Sequence, residues 1–234
     1  MARAALRNAA VIIAAGGTGR RMGRSVPKQF LKAGEYPILV TAVKAFERIR
    51  LVRQIVVVVP RGYAEFTHRL LSRAGCARVS AVIEGGKERQ DSVRQGLAML
   101  TGEPDVVMVH DAVRPFVTRR VILQVASEAH RHGAAVVGVR VKDTIKREGK
   151  PGFTRETLPR QSLWAIQTPQ GFRPSLLQKA HLKAFREHVQ GTDDAMLVER
   201  LGIPVRIVEG EYTNIKITTR EDLVTARNRL KRRK

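Results

Sequence analysis

The amino-acid sequence predicts an α/β fold, a mostly parallel sheet with helices on both faces. Three observations carry this. Short runs rich in Val or Ile recur along the chain, stretches of helical period separate them, and no linker, repeat or low-complexity segment intervenes. Strand–helix alternation calls for right-handed crossovers between parallel strands. The whole chain, 1–234, is expected to form a single domain.

The strand-like runs are Ala10–Ala15, Gln54–Pro60, Val79–Glu84, Asp105–His110, Ala134–Val141 and Pro204–Val208. None alternates strictly between apolar and polar residues, so each is expected to be buried on both faces. Between them, Ile38, Val40, Val43, Phe46 and Ile49 follow helical spacing. So do Val93, Leu97 and Leu100, then Val121, Val125 and Ala129, then Leu177, Ala180 and Ala184. The rhythm breaks from Lys142 to Trp164. There a Gly149-Lys150-Pro151-Gly152 turn separates two polar segments of β character, which predicts a protruding hairpin. A two-stranded ribbon is not stable alone, so this arm is expected to pack against a second copy in a homodimer.

Composition bounds the function. With 234 residues, 43% of them hydrophobic, the chain can bury a substantial core. No apolar run approaches the roughly 20 residues that span a bilayer, so no membrane association is expected. The segment before the first strand, Met1 to Asn8, is too short for a signal or transit peptide. Cys76 is the only cysteine, which excludes an internal disulfide and fits a reducing, cytoplasmic location. The net charge of +22 comes from 43 Lys+Arg against 21 Asp+Glu, a balance that a nucleic-acid-binding protein could have. Apart from Arg227 to Lys234 the charge is diffuse, and three Tyr, one Trp and seven Phe offer few platforms for bases. No specific nucleic-acid partner is expected; the charge would attract anionic substrates.

Val11 to Phe30 carries the most chemistry. A β-branched run ends in Ala14 and Ala15, then come Gly16, Gly17 and Gly19, then Arg20, Arg21, Arg24 and Lys28. Small residues let backbone N–H groups close on a phosphate chain, and the cations match its charge. Neither standard phosphate motif fits. Gly17 to Gly23 is one residue too long for G-x-G-x-x-G, which argues against a nicotinamide-binding oxidoreductase, and no Gly-Lys-Ser or Gly-Lys-Thr occurs.

Glu84 to Val93 follows a strand and opens a helix, so its glycines and Ser92 would face the first loop and suit a base edge. His110-Asp111-Ala112-Val113-Arg114-Pro115 ends another strand with a carboxylate at the same sheet edge. One Asp beside triphosphate oxygens is a common way to hold Mg²⁺. His110 reads as structural. Gln167 to Phe172 and Asn214 to Thr219 complete the set, with Lys216 in a β-branched run expected to be a strand.

In this order, A-A-G-x-x-x-R-M, P-K-Q-F, G-G-x-x-R-x-x-S-V, H-D-A-x-R-P, D-T-I-K, Q-T-P-Q and N-I-K-I-T span about Val11 to Leu223. Together they resemble the 2-C-methyl-D-erythritol 4-phosphate cytidylyltransferases of the non-mevalonate isoprenoid pathway. The resemblance implies a Rossmann-like nucleotidyltransferase fold and a dimer joined by the arm. It implies that CTP meets Ala14, Ala15, Gly16, Gly19, Gly86, Arg89 and Ser92. Arg21, Lys28 and Lys216 would be catalytic, and Asp111 would hold Mg²⁺. The acceptor would meet Ala112, Arg114, Thr168 and Thr192, with Thr144 and Arg160 supplied by the partner's arm. Arg21 is chosen over Arg20 because Met22 follows it. Thr213 stands where some members carry an acidic residue, so no second metal carboxylate is assigned. A ribitol-5-phosphate cytidylyltransferase shares most of these motifs; Arg160 to Trp164 and N-I-K-I-T favour methylerythritol phosphate.

Overall fold

The computed structural model describes residues 5–17 and 26–231. Side chains alternate along the first strand, β1 (Ala9–Ala14). Ala9, Val11 and Ile13 enter one apolar cluster, while Ala10 and Ile12 enter another on the opposite face. Burying both faces demands a helical layer on each side. In chain order come α1 (Ile38–Glu47), β2 (Val52–Val59), α2 (Ala64–Arg73), β3 (Val79–Glu84), α3 (Arg89–Ala98) and β4 (Val106–Asp111). Then follow α4 (Arg119–His132), β5 (Ala134–Arg140), β6 (Lys146–Glu148), β7 (Thr154–Thr157), β8 (Trp164–Phe172), α5 (Pro174–Arg186), α6 (Asp194–Glu199), β9 (Arg206–Glu209) and α7 (Arg220–Lys231).

Helices α1, α2 and α4 pack Leu39, Phe46, Leu71, Ile122 and Val125 against one sheet face. Helices α3, α5 and α6 pack Val93, Leu97, Leu177 and Leu197 against the other. A third cluster sets Ile217, Leu223 and Ala226, around α7, on Ile38 and Phe116. Local chemistry fixes the ends. The Thr118 hydroxyl accepts from Val121 N–H at the start of α4, and Gly133, at φ 98°, stops that helix.

The seven strands run in the order β3-β2-β1-β4-β8-β5-β9, and every pairing is parallel except the two made by β8. The expectation of a mostly parallel sheet with helices on both faces is borne out. Burial on both faces holds for β1, β2, β4 and β5 but not for β3 and β9. These are edge strands, each paired on one side only, and polar residues face solvent along them. The Lys216 run is also corrected: Ile215 to Thr218 forms no strand. It crosses the end of β4, held there by Ile217 N–H to Val113 O (2.9 Å) and by burial of Ile217. Tertiary packing overrides β propensity there.

The expected hairpin is present as the antiparallel pair β6–β7, exposed along its length. Its turn depends on Gly152, at φ 82°, whose N–H donates to Glu148 Oε1 (2.8 Å). No helix among the described residues is long and apolar enough to cross a membrane.

Candidate active site

Parallel register brings the carboxyl ends of β1, β3 and β4 to one edge of the sheet, with Ala14 beside Asp111. Ala112 N–H donates to Ala14 O (3.0 Å) and Ala15 N–H to Val58 O (2.7 Å), which fixes the exit of the chain from β1. The glycine loop starts there. Gln29, almost fully buried, donates to Ala15 O (2.6 Å) and Gly17 O (3.0 Å). This anchor escaped the sequence reading, although a glutamine between Lys28 and Phe30, just past a glycine loop, was its visible trace. Lys28 is half-buried at the head of a 3-10 turn, Lys28–Phe30. Gly19 and Arg21, with Arg20 and Arg24, lie outside the described residues.

The second loop closes on the first. A Cβ on Gly85 would lie 2.5 Å from Ser92 Oγ, and one on Gly16 would lie 3.2 Å from the same atom. A Cβ on Gly86 would meet Asp91 Cβ at 2.4 Å. Glycine is the residue that permits such close backbone approach. Glu88 and Asp91 cap the start of α3 reciprocally, which sets Arg89 in its first turn facing the end of β4.

Asp111 is the buried anion around which the site is organised. Lys216 Nζ lies 2.8 Å from Oδ2, Arg89 Nε 3.4 Å from Oδ1 and Arg114 Nε 3.8 Å from Oδ2. Burial alone would favour its neutral form. The Arg89 charge, then Lys216, hold the carboxyl well below the usual carboxylate range. Arg89 is itself shared, since its Nη1 donates to Asp194 Oδ2 at 2.7 Å. The other Asp194 oxygen lies 3.0 Å from His181 Nε2, and both of these side chains are buried. Asp194 and His181 were not foreseen; the signal available was the Gly191-Thr192-Asp193-Asp194 turn into α6.

Lys216 reaches Asp111 because the segment before it is tied down. Asn214 O accepts from Arg114 Nη1 (2.8 Å), and Asn214 Nδ2 donates to Thr168 O (2.9 Å) and Gln167 Oε1 (3.1 Å). With its side chain 43% exposed, Lys216 remains open to an anion from solvent. His110 is fully buried, and desolvation pushes its pKa down to about 4. Thr144 and Arg160 stand on the exposed arm, where Arg160 Nη1 donates to Lys142 O (2.8 Å). Thr192 is exposed just before α6.

Among the described residues no three His, Cys, Asp or Glu side chains converge as metal ligands. Asp111 offers one hard, ionised oxygen donor group, which fits Mg²⁺ if phosphate oxygens and water complete its octahedron.

The chain matches the family model IspD, 2-C-methyl-D-erythritol 4-phosphate cytidylyltransferase, over residues 9–232. A protein of that name from Geobacillus kaustophilus is 46% identical over 219 residues, covering 94% of this chain and 95% of its own. Another, from Desulforamulus reducens, is 44% identical and covers 97% of each chain. Among solved structures, 4-diphosphocytidyl-2C-methyl-D-erythritol synthase from Anaerococcus prevotii superposes with a TM-score of 0.85 at 27% identity, over 96% of both chains. The 2-C-methyl-D-erythritol 4-phosphate cytidylyltransferase from Thermus thermophilus gives 0.79 at 36% identity, over 94% of this chain and 98% of that one. Ordered motifs, topology and sequence agree: this chain belongs to the 2-C-methyl-D-erythritol 4-phosphate cytidylyltransferase family.

Proposed function

We propose that this chain transfers CMP from CTP to 2-C-methyl-D-erythritol 4-phosphate, yielding 4-diphosphocytidyl-2-C-methyl-D-erythritol and pyrophosphate. One observation carries the reading. In a chain matched to the family across residues 9–232, Asp111 and Lys216 meet at the sheet edge where two glycine loops converge.

The chemistry follows from charge. The attacking group is a phosphate monoester with a second pKa of about 6, so it is largely dianionic at neutral pH and needs no general base. Its phosphate oxygen attacks the α-phosphorus of CTP, and the bond to pyrophosphate breaks in line. The obstacle is repulsion between two polyanions and the charge gathering on the α-phosphoryl group. Arg21 and Lys28 are assigned to the triphosphate and Lys216 to the reacting phosphates, where fixed cations offset that charge. Mg²⁺, when bound at Asp111, would neutralise and orient phosphate oxygens.

Cytosine is assigned to the pocket of Ala14, Ala15, Gly86 and Ser92, and the loop from Gly16 to Gly19 to the phosphates. Arg89, already shared by two carboxylates, would border the CTP site. Ala112, Arg114, Thr168 and Thr192 form the acceptor edge. Thr144 and Arg160 would serve the neighbouring protomer of a cytoplasmic homodimer whose arms exchange.

The test is pyrophosphate release from CTP and Mg²⁺ with methylerythritol phosphate and ribitol 5-phosphate in parallel. Release with the first alone is expected. Release with ribitol 5-phosphate alone would overturn the acceptor assignment, and silence with both would overturn the reading.

A further inference from the structure

The loop between α5 and α6 hangs from the first turn of α3. Glu187 caps α5, and His188, at φ 53°, turns the chain so that Val189 N–H donates back to Ala184 O at 2.9 Å. This left-handed helix end steers the chain toward α3. There the half-buried Gln90 side chain takes hold of it. Gln90 Nε2 donates to Val189 O at 3.1 Å, and Gly191 N–H donates to Gln90 Oε1 at 2.8 Å. A carbonyl only accepts and a backbone N–H only donates, so the side-chain amide has a single orientation here.

Thr192 follows directly. Its N–H and hydroxyl lie 3.5 and 3.7 Å from Met196 Sδ, a weak acceptor, so its place is set mainly by its flanks. The far flank is pinned three times. Asp193 Oδ1 accepts from Met196 N–H (2.9 Å), Asp193 Oδ2 from Gln170 Nε2 (2.7 Å), and Ala195 N–H donates to Gln170 Oε1 (3.2 Å). The near flank is Gly191, which has no side chain to anchor it. Its tie is the bond to Gln90. Loss of the Gln90 amide would therefore loosen the approach to Thr192 and leave α6 in place.

We infer that Gln90 is a positioning residue for the acceptor: its amide clasps Val189 and Gly191 to α3 and so sets where the Thr192 hydroxyl stands. The assignment of Thr192 to the acceptor rests on the cytidylyltransferase reading; the clasp does not. Gln90 lies between Arg89 and Ser92, which are assigned to the CTP side. One helical turn thus locates contacts for both substrates.

The first experiment needs no substrate. Gln90→Met keeps the length of the side chain but makes neither bond. It is expected to speed amide hydrogen exchange at Gly191 about tenfold or more, while Ala195, bonded to Gln170, changes less than about twofold. Unchanged exchange at Gly191, or equal acceleration at both amides, would overturn the inference. The second is kinetic. Gln90→Met is expected to raise the acceptor KM about fivefold or more, with kcat and the KM for CTP moving less than about twofold. In a Thr192→Val background the same substitution should move the acceptor KM less than about twofold, because the contact it positions is already gone. A full effect in that background, or equal rises in both KM values, would refute the role. Should Gln90→Met not fold, Gln90→Ala takes its place in both experiments. A wild-type enzyme inert toward methylerythritol phosphate would instead refute the proposed reaction and leave Gly191 exchange to judge Gln90.

Discussion

Lowering the pH should destabilise this protein through His110 before its buried carboxylates respond. In the unfolded chain an imidazole takes up a proton near pH 6.5; buried in the fold, His110 resists protonation until about pH 4. Between those values the unfolded state binds one more proton, so stability falls as pH falls. The loss approaches about 1.4 kcal/mol per pH unit, reaching about 1 kcal/mol at pH 5.5 and about 2–3 kcal/mol at pH 4.5. Asp111 and Asp194 have depressed values, so their stabilisation persists through this window and is lost only at lower pH. Urea denaturation from pH 7.5 to 4.5, on wild type and His110→Gln, measures the effect. The variant is expected to be less stable at neutral pH but nearly insensitive across the window. A flat wild-type profile, or an equal slope in the variant, would refute the assignment to His110.

Further tests follow from the same geometry. Lys28→Ala or Arg21→Ala is expected to cut turnover by orders of magnitude with an unchanged melting temperature; near-normal turnover would remove that residue from the triphosphate site. A Cβ at Gly96 would lie 2.8 Å from Ile12 Cγ2 and 3.1 Å from Val58 Cγ2. Gly96→Ala should therefore destabilise by about 1–2 kcal/mol despite its better helix propensity, and a gain in stability by denaturation would contradict the packing. Asp105 Oδ2 accepts from Arg7 and Asn8 N–H (2.7 and 3.0 Å), so Asp105→Ala should release the chain ahead of β1. Unchanged hydrogen exchange at those two amides would disprove that anchor. Replacing residues 146–157 by a short turn should leave a folded monomer by light scattering if the arm joins the dimer; a persisting dimer would locate the interface elsewhere.

The inner strands were legible because burial on both faces leaves a run of Val and Ile that no other element shows so plainly. Strand β8 was not. Its site half, Gln167-Thr168-Pro169-Gln170, reads as loop, and only partners thirty or more residues earlier in the chain make it a strand. Asp111 announced itself as a carboxylate ending an apolar run. Asp194 and His181 did not, because a pair separated by thirteen residues on two helices has no signature in either. The role of Gln29 was hidden differently: its partners are backbone carbonyls, which every sequence possesses. Lys216 looked like a surface lysine in a strand, and its approach to Asp111 depends on Asn214 being held by Thr168 and Arg114.

The segment that delivers Lys216 follows β9, the last strand among the described residues, and is clamped by α7 against Ile38 and Phe116. Synthesis therefore supplies every strand of the sheet before it supplies this lysine. A nascent chain ending at Glu209 could pair all seven strands and bring Arg89 to Asp111, yet would lack the Asn214 carbonyl that holds Arg114 and the cation assigned to the reacting phosphates. Competence for turnover is thus supplied only after the sheet is complete, and a chain cut after Glu209 is expected to lack it.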